Sequence, residues 1–149
     1  MYKAAVRWLI RRNIGLLNEG KYQPTLAMFA PDATLAFPGD NSWARMYREP
    51  EKSQEQFVTH RGLAEIEAFL QRFVEQGIEM HVDDILVNGP PWNTRTAARV
   101  HHGVVDAQGN EIYTNRAVLV VRTVWGKIRE QEDYEDTERV AAFDRRLET

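Results

Sequence analysis

Near the C-terminus the sequence reads GKIREQEDYED, residues 126 to 136, a turn signal followed by a strand-like run with five carboxylates. Alternate residues of a strand point to opposite faces. Arg129, Gln131, Asp133 and Glu135 therefore share one face, and Ile128, Glu130, Glu132 and Tyr134 the other. Neither is an apolar stripe, so this strand must face water or line a polar cavity. Two earlier segments repeat the mixture. Asn115, Ala117, Leu119 and Val121 oppose Thr114, Arg116, Val118, Val120 and Arg122, while Arg99, His101 and Gly103 oppose Ala98, Val100, His102 and Val104. Three strands that each combine small, apolar and ionisable side chains suit a pocket. The competing reading is structural: carboxylates near a sheet edge are commonly solvated or paired with a cross-strand arginine.

Other chemistries have less support. His60 and His81 have no spacing partner, and His101 and His102 point to opposite faces of a regular strand, so no metal site is expected. A glycine-rich phosphate loop, a Gly-x-Ser-x-Gly elbow and a His-Glu-x-x-His motif are all missing. The net charge of −3 argues against a nucleic-acid partner. Arg7, Arg11 and Arg12, and later Arg145 and Arg146, read as solvated helix faces. Without cysteine there is no disulfide or thiolate chemistry. No apolar run approaches membrane-spanning length and no signal peptide is legible, so a cytoplasmic protein without membrane association is expected.

The elements that must position these residues follow from periodicity. Val6, Ile10, Ile14 and Leu17 predict a helix over about 3 to 18, stopped at Gly20. Pro24 starts a short second helix carrying Leu26 and Phe29, and Thr34 to Phe37 forms a short strand. Residues 38 to 61 show neither period and are expected to be a long connection, its polar run Glu51 to Gln56 mobile. Leu63, Ile66, Leu70 and Phe73 predict a long helix ended by Gly77. Segments 78 to 88, 93 to 106, 111 to 125 and 128 to 135 follow as an antiparallel meander, and Asp136 caps a last helix with Val140, Phe143 and Leu147. At 149 residues this is one α+β domain whose helices cover one face of the sheet.

The order of elements, with LAMFAPDATLAFPG (26 to 39), HRGLAEIEAFLQRF (60 to 73) and GKIREQEDYED, resembles the nuclear transport factor two-like superfamily. That group includes SnoaL-like polyketide cyclases, ketosteroid isomerase and limonene epoxide hydrolase. The resemblance implies a cone: a strongly curved antiparallel sheet wrapped around N-terminal helices in the order ααβαββββ plus a short C-terminal helix, with a ligand pocket inside. It also implies that Asp133 is the general acid or base. The hydrolase's Arg-x-Asp would correspond to Arg99-Val100-His101, which makes His101 the partner of Asp133 and Arg99 a stabiliser of developing negative charge. The hydrolase's water-holding tyrosine and asparagine fall at Leu35 and Phe37, so epoxide hydrolysis is disfavoured. Phe37, Trp43 and Leu119 are then candidate apolar walls, with Trp43 or Tyr47 over the mouth of the cone, and Asn115, Gln131 and Glu135 candidate ligand contacts.

Two functions remain open on these grounds. One is a cofactor-independent acid-base enzyme of cyclase or isomerase type acting on a polar or oxygenated ring compound. The other is a non-catalytic ligand-binding or dimerisation module of the same fold. Under either, the outer face with Arg116, Val118, Val120, Arg122 and Val124 needs cover, and a homodimer packed sheet to sheet is expected.

Overall fold

The computed structural model describes residues 1–38 and 57–147, so the expectations for Trp43, Tyr47 and the run Glu51 to Gln56 lie outside the described residues. Helix α1 (Tyr2–Asn18) is followed by the single turn α2 (Gln23–Leu26) and strand β1 (Phe29–Pro38). Then come β2 (Phe57–Arg61), α3 (Gly62–Glu75), β3 (Glu79–Asn88), β4 (Thr94–Val105), β5 (Glu111–Val124), β6 (Lys127–Glu135) and α4 (Thr137–Leu147). The six strands form one sheet in the order β2-β1-β6-β5-β4-β3.

Strands β3 to β6 are the expected meander, each antiparallel to the next. Two elements differ from expectation: β1 begins at Phe29, which the sequence reading places on the second helix, rather than at Thr34, and the end of the long connection is strand β2, which pairs antiparallel with β1 from Thr34↔Arg61 to Pro38↔Phe57. Its five residues, FVTHR, are too short and too polar to display a period, and the β1 ladder supplies what the pattern lacks. Strand β1 in turn lies parallel to β6, with Leu35 opposite Gln131.

The helices form as their apolar spacing dictates. Both longer early helices end on a glycine with positive φ, Gly20 at 82° and Gly77 at 66°. There the N–H of Lys21 reaches the carbonyl of Leu16 and that of Gly20 reaches Leu17, which satisfies two carbonyls the helix end would orphan. Helix α3 buries Ile66, Phe69, Leu70 and Phe73. These meet Leu35 and Phe37 of β1, Ala98 and Val100 of β4, Ala117 and Leu119 of β5, and Val140 and Phe143 of α4 in one core. Asp136 caps α4 as expected, its Oδ1 accepting the N–H groups of Glu138 at 3.1 Å and Arg139 at 3.3 Å.

At one end of the cone the β5–β6 hairpin turns at Trp125 and Gly126, with φ of 49° and 79°. A tryptophan is an unfavourable occupant of such a position. The Trp125 N–H, bonded to the Pro91 carbonyl at 2.8 Å, and its ring, 5.9 Å from that of Trp92, hold it there. Among the described residues, no helix is long and apolar enough to cross a membrane.

Candidate active site

Between α1 and the inner face of the sheet lies a cavity of about 300 Å³. Helix α1 contributes Val6, Leu9, Ile10, Asn13, Ile14 and Leu17, one side of it being turned to the sheet by the apolar repeat. The sheet contributes Leu35 and Phe37 from β1, Thr96, Ala98 and His102 from β4, Leu119 and Val121 from β5, and Gln131, Asp133 and Glu135 from β6. Two residues of the lining, Ala5 and Gly126, are exposed, so the cavity reaches the surface between the first turns of α1 and the β5–β6 hairpin.

Strand β6 projects its polar triplet inward. Asp133 is 7% exposed, and its Oδ1 accepts a hydrogen bond from the Gln131 side-chain amide at 2.9 Å. Burial pushes the Asp133 carboxyl up to about 7, against the downward pull of that hydrogen bond. Glu135, half-buried one pleat further on, is pushed up to about 8 by burial first, then by the charges of Asp133 and Asp144. Near neutrality the two sites therefore share a proton inventory, both held more protonated than an ordinary carboxyl. A β-bulge between Arg122 and Thr123 of β5, where Ile128 rather than Arg129 takes the next place on β6, breaks the simple alternation. It turns Ile128 into the cavity wall and sends Arg129 out to Asp32, 2.9 Å away.

The expected partners of Asp133 do not join it. Strand β4 keeps the alternation read from the sequence, but its inward face carries Thr94, Thr96, Ala98, Val100, His102 and Val104. Arg99 and His101 lie on the outer face, where His101 Nδ1 is 2.9 Å from Asp83 Oδ1 and its ring stacks on His81 at 5.0 Å. The physical reason is that Ala98, Val100 and Val104 bury more apolar surface than Ala97, Gly103 and the arginines opposite, and the strand turns accordingly. Asn115 faces inward but is spent on structure: its amide donates to Tyr113 Oη and to the Asp136 carbonyl, both at 3.0 Å, and its oxygen accepts the Arg116 N–H. Phe37, Leu119, Gln131 and Glu135 line the cavity.

His102 is the imidazole that does face the cavity. It is 9% exposed, with its ring edge-on to Phe73. Burial, with a smaller contribution from His101, lowers its pKa to about 4, so the ring is neutral at physiological pH. The sequence carried the signal, since His102 shares parity with Val100 and Val104. Tyr113 lines the same wall, stacked on Phe143 at 4.4 Å, and burial raises its phenol so that it stays protonated. Among the described residues no group of three or more metal-binding side chains converges.

The family model for the SnoaL-like domain matches residues 10–131. The chain belongs to the SnoaL-like domain family. Among curated proteins, none matches it significantly. Solved structures do. TerC, co-crystallised with polyporic acid, is 19% identical with a TM-score of 0.66, covering 95% of this chain and 96% of its own. A protein from Rhodopseudomonas palustris, provisionally named an isomerase, is 15% identical with a TM-score of 0.65, covering 95% and 96%. A protein of unknown function with a cystatin-like fold from Methylobium petroleophilum PM1 is 21% identical with a TM-score of 0.62, covering 89% and 76%. At these identities the likeness establishes the fold of this SnoaL-like chain, a cystatin-like cone, and leaves its chemistry to its own residues.

Proposed function

We propose that this SnoaL-like protein is a proton-transfer enzyme of isomerase or cyclase type that works without a cofactor on a small, largely apolar oxygenated ring compound. The observation that carries it is the Asp133 and Glu135 pair, held in an apolar cavity with both carboxyls raised towards neutral pH. Asp133, the more deeply buried of the two and held by the Gln131 amide, takes a proton from carbon beside a carbonyl. Glu135, its carboxyl raised by burial and by the charge of Asp133, returns one to the oxygen or to another carbon. Neutral His102 and Tyr113 stand on the same wall as hydrogen-bonding groups for an oxygen that gains negative charge. The alternative, a ligand receptor without turnover, uses the same cavity.

Hydrogen–deuterium exchange separates the two. A panel of cyclic ketones of which 2-tetralone is a member, incubated in D₂O and followed by NMR, exchanges its α-protons faster with the wild-type protein than in buffer. Asp133→Asn removes the acceleration. Equal exchange by wild type and variant, with the ketones bound by both, would leave only the receptor.

The outer face of the sheet supports a second part of the proposal, a homodimer. Leu86 is 64% exposed and Val120 38%, an apolar row in need of cover.

A further inference from the structure

Among the described residues, three buried side-chain polar atoms lack a hydrogen-bond partner: Asn13 Oδ1, Thr25 Oγ1 and His102 Nε2. All three residues line the one cavity described above. Buried polar groups are ordinarily satisfied, and each one left unpaired costs stability. Their coincidence around a single cavity is not what random packing defects would produce.

Their chemistry differs by position. Asn13 sits in the apolar stripe of α1, three residues after Ile10 and four before Leu17, where an aliphatic side chain would be expected. Its amide nitrogen bonds the Met28 sulfur, which pins the group and leaves its oxygen as a pure acceptor. The N–H of Met28 bonds the Thr25 carbonyl at 3.0 Å, so Met28 ties the two residues into one patch of the helical wall. Thr25 offers a hydroxyl that donates or accepts. Neither atom touches the open space of the cavity as it stands, so a ligand O–H that donates to Asn13 or accepts from Thr25 reaches it as that side chain turns towards the cavity. His102 stands across from them on β4, a neutral imidazole able to donate to a carbonyl or accept from a hydroxyl according to its tautomer.

We infer that Asn13 and Thr25 are specificity-determining residues for an alcohol or phenol hydroxyl at one end of the ligand, and that His102 binds a second oxygen across an apolar framework. This rests on the reading of the cavity as a small-molecule site and names the substrate class: a ring compound with oxygen at both ends. The three unpaired atoms are then a cost that the ligand-free protein bears and the ligand relieves.

The test needs binding only. Naphthalene, 2-naphthol and 2,6-dihydroxynaphthalene serve as probes, titrated into the wild-type protein and into Thr25→Val, Asn13→Leu and His102→Phe. The wild type binds more tightly with each added hydroxyl. Thr25→Val and Asn13→Leu weaken 2-naphthol by roughly three- to tenfold, leave naphthalene unchanged, and do not lower Tm; Thr25→Val raises it by about 2 °C, because an unpaired polar atom is gone. His102→Phe cancels the gain from the second hydroxyl.

Equal wild-type affinity for naphthalene and 2-naphthol would overturn the inference. So would a Thr25→Val protein that is less stable, or that weakens both probes alike. If none of the three probes binds, the small-molecule reading beneath it falls as well. The selectivity persists in the Asp133→Asn, Glu135→Gln double variant. Selective binding without ketone exchange would therefore discard the enzyme and keep the recognition site.

Discussion

Asp133 and Glu135 project from the same face of β6, two residues apart, into one apolar cavity, and the charge of Asp133 is among the causes that raise Glu135. The pair binds protons in the folded protein that the unfolded chain has already released. Between the ordinary carboxyl range near 4 and the folded values of about 7 and about 8, stability therefore falls as pH rises. Below that window the stabilising protons are held in both states, and above it the loss is complete. Urea unfolding at pH 5 and pH 8 should show the wild type less stable at pH 8. Asp133→Asn should flatten the difference by an amount on the order of 1 to a few kcal/mol. An unchanged slope in the variant would mean that Asp133 is ionised throughout.

His102 works in the opposite direction. Its pKa falls from the usual 6.5 to about 4 in the fold, so the unfolded chain takes up a proton first as pH drops. The stability that neutral His102 carries is complete above 6.5 and is lost as pH falls towards 4. In ¹⁵N-resolved NMR the His102 ring should keep its neutral pattern from pH 7.5 to 5.5, and His102→Phe should be less acid-sensitive than wild type. A His102 signal that titrates at 6 or above would contradict this.

Much of the cone was legible because its strands are long and its turns chemically explicit. The four strands from Glu79 to Glu135 and the glycine stops of α1 and α3 fall within a residue or two of where periodicity places them. Parity on β4 was legible too, yet it left open which of two mixed faces is inside. Ala98, Val100 and Val104 decide that for His102, whereas the resemblance to an Arg-x-Asp pattern pointed to Arg99 and His101. The bulge at Arg129 was not legible, since one extra residue leaves no trace in the alternation around it. Strand β2 was invisible because its partner β1 defines it. Asn13 did leave a signal, a polar side chain in an apolar helical stripe.

The placement of Arg99 and His101 on the outer face has a direct consequence. Arg99→Ala and His101→Ala should bind the naphthol probes as wild type does and change Tm by less than about 1 °C, since His101 and Asp83 form an exposed pair of little worth. A tenfold loss of probe affinity in His101→Ala would put that imidazole back in the cavity.

Asp136 ties the last helix to the site. Its carboxylate caps α4 while its carbonyl accepts from Asn115, and α4 carries the Phe143 ring on which Tyr113 stacks. Losing such a cap costs about 1 kcal/mol. Asp136→Ala should lower Tm by about 2 to 4 °C and raise hydrogen exchange in α4 before it does so in the meander. Equal exchange throughout would mean that the helix holds without its cap.

The outer face of the sheet supplies the last prediction. In register, Leu86 lies opposite Ala97 and Ala97 opposite Val120, an apolar row over three strands that ends at Glu132 on β6. On one side runs Asn88, Arg95, Arg122 and Glu130, and on the other Asp84, Arg99, Val118 and Tyr134. Arg122 and Glu130 are already paired at 3.1 Å, so they need no partner's charge to be satisfied. An apolar centre with a polar rim is the anatomy of an interface, and the outer face of the sheet can present it to an identical face by a two-fold axis. Light scattering at micromolar concentration should give twice the chain mass. Val120→Glu places a carboxylate directly beside Glu132, its register partner on β6, on both copies at once, and burying these like charges outweighs what the row gains by burial. That variant should be monomeric, with the pH dependence set by Asp133 intact because the cavity lies on the other face. A wild-type protein that is already monomeric at that concentration would leave the row as ordinary exposed surface.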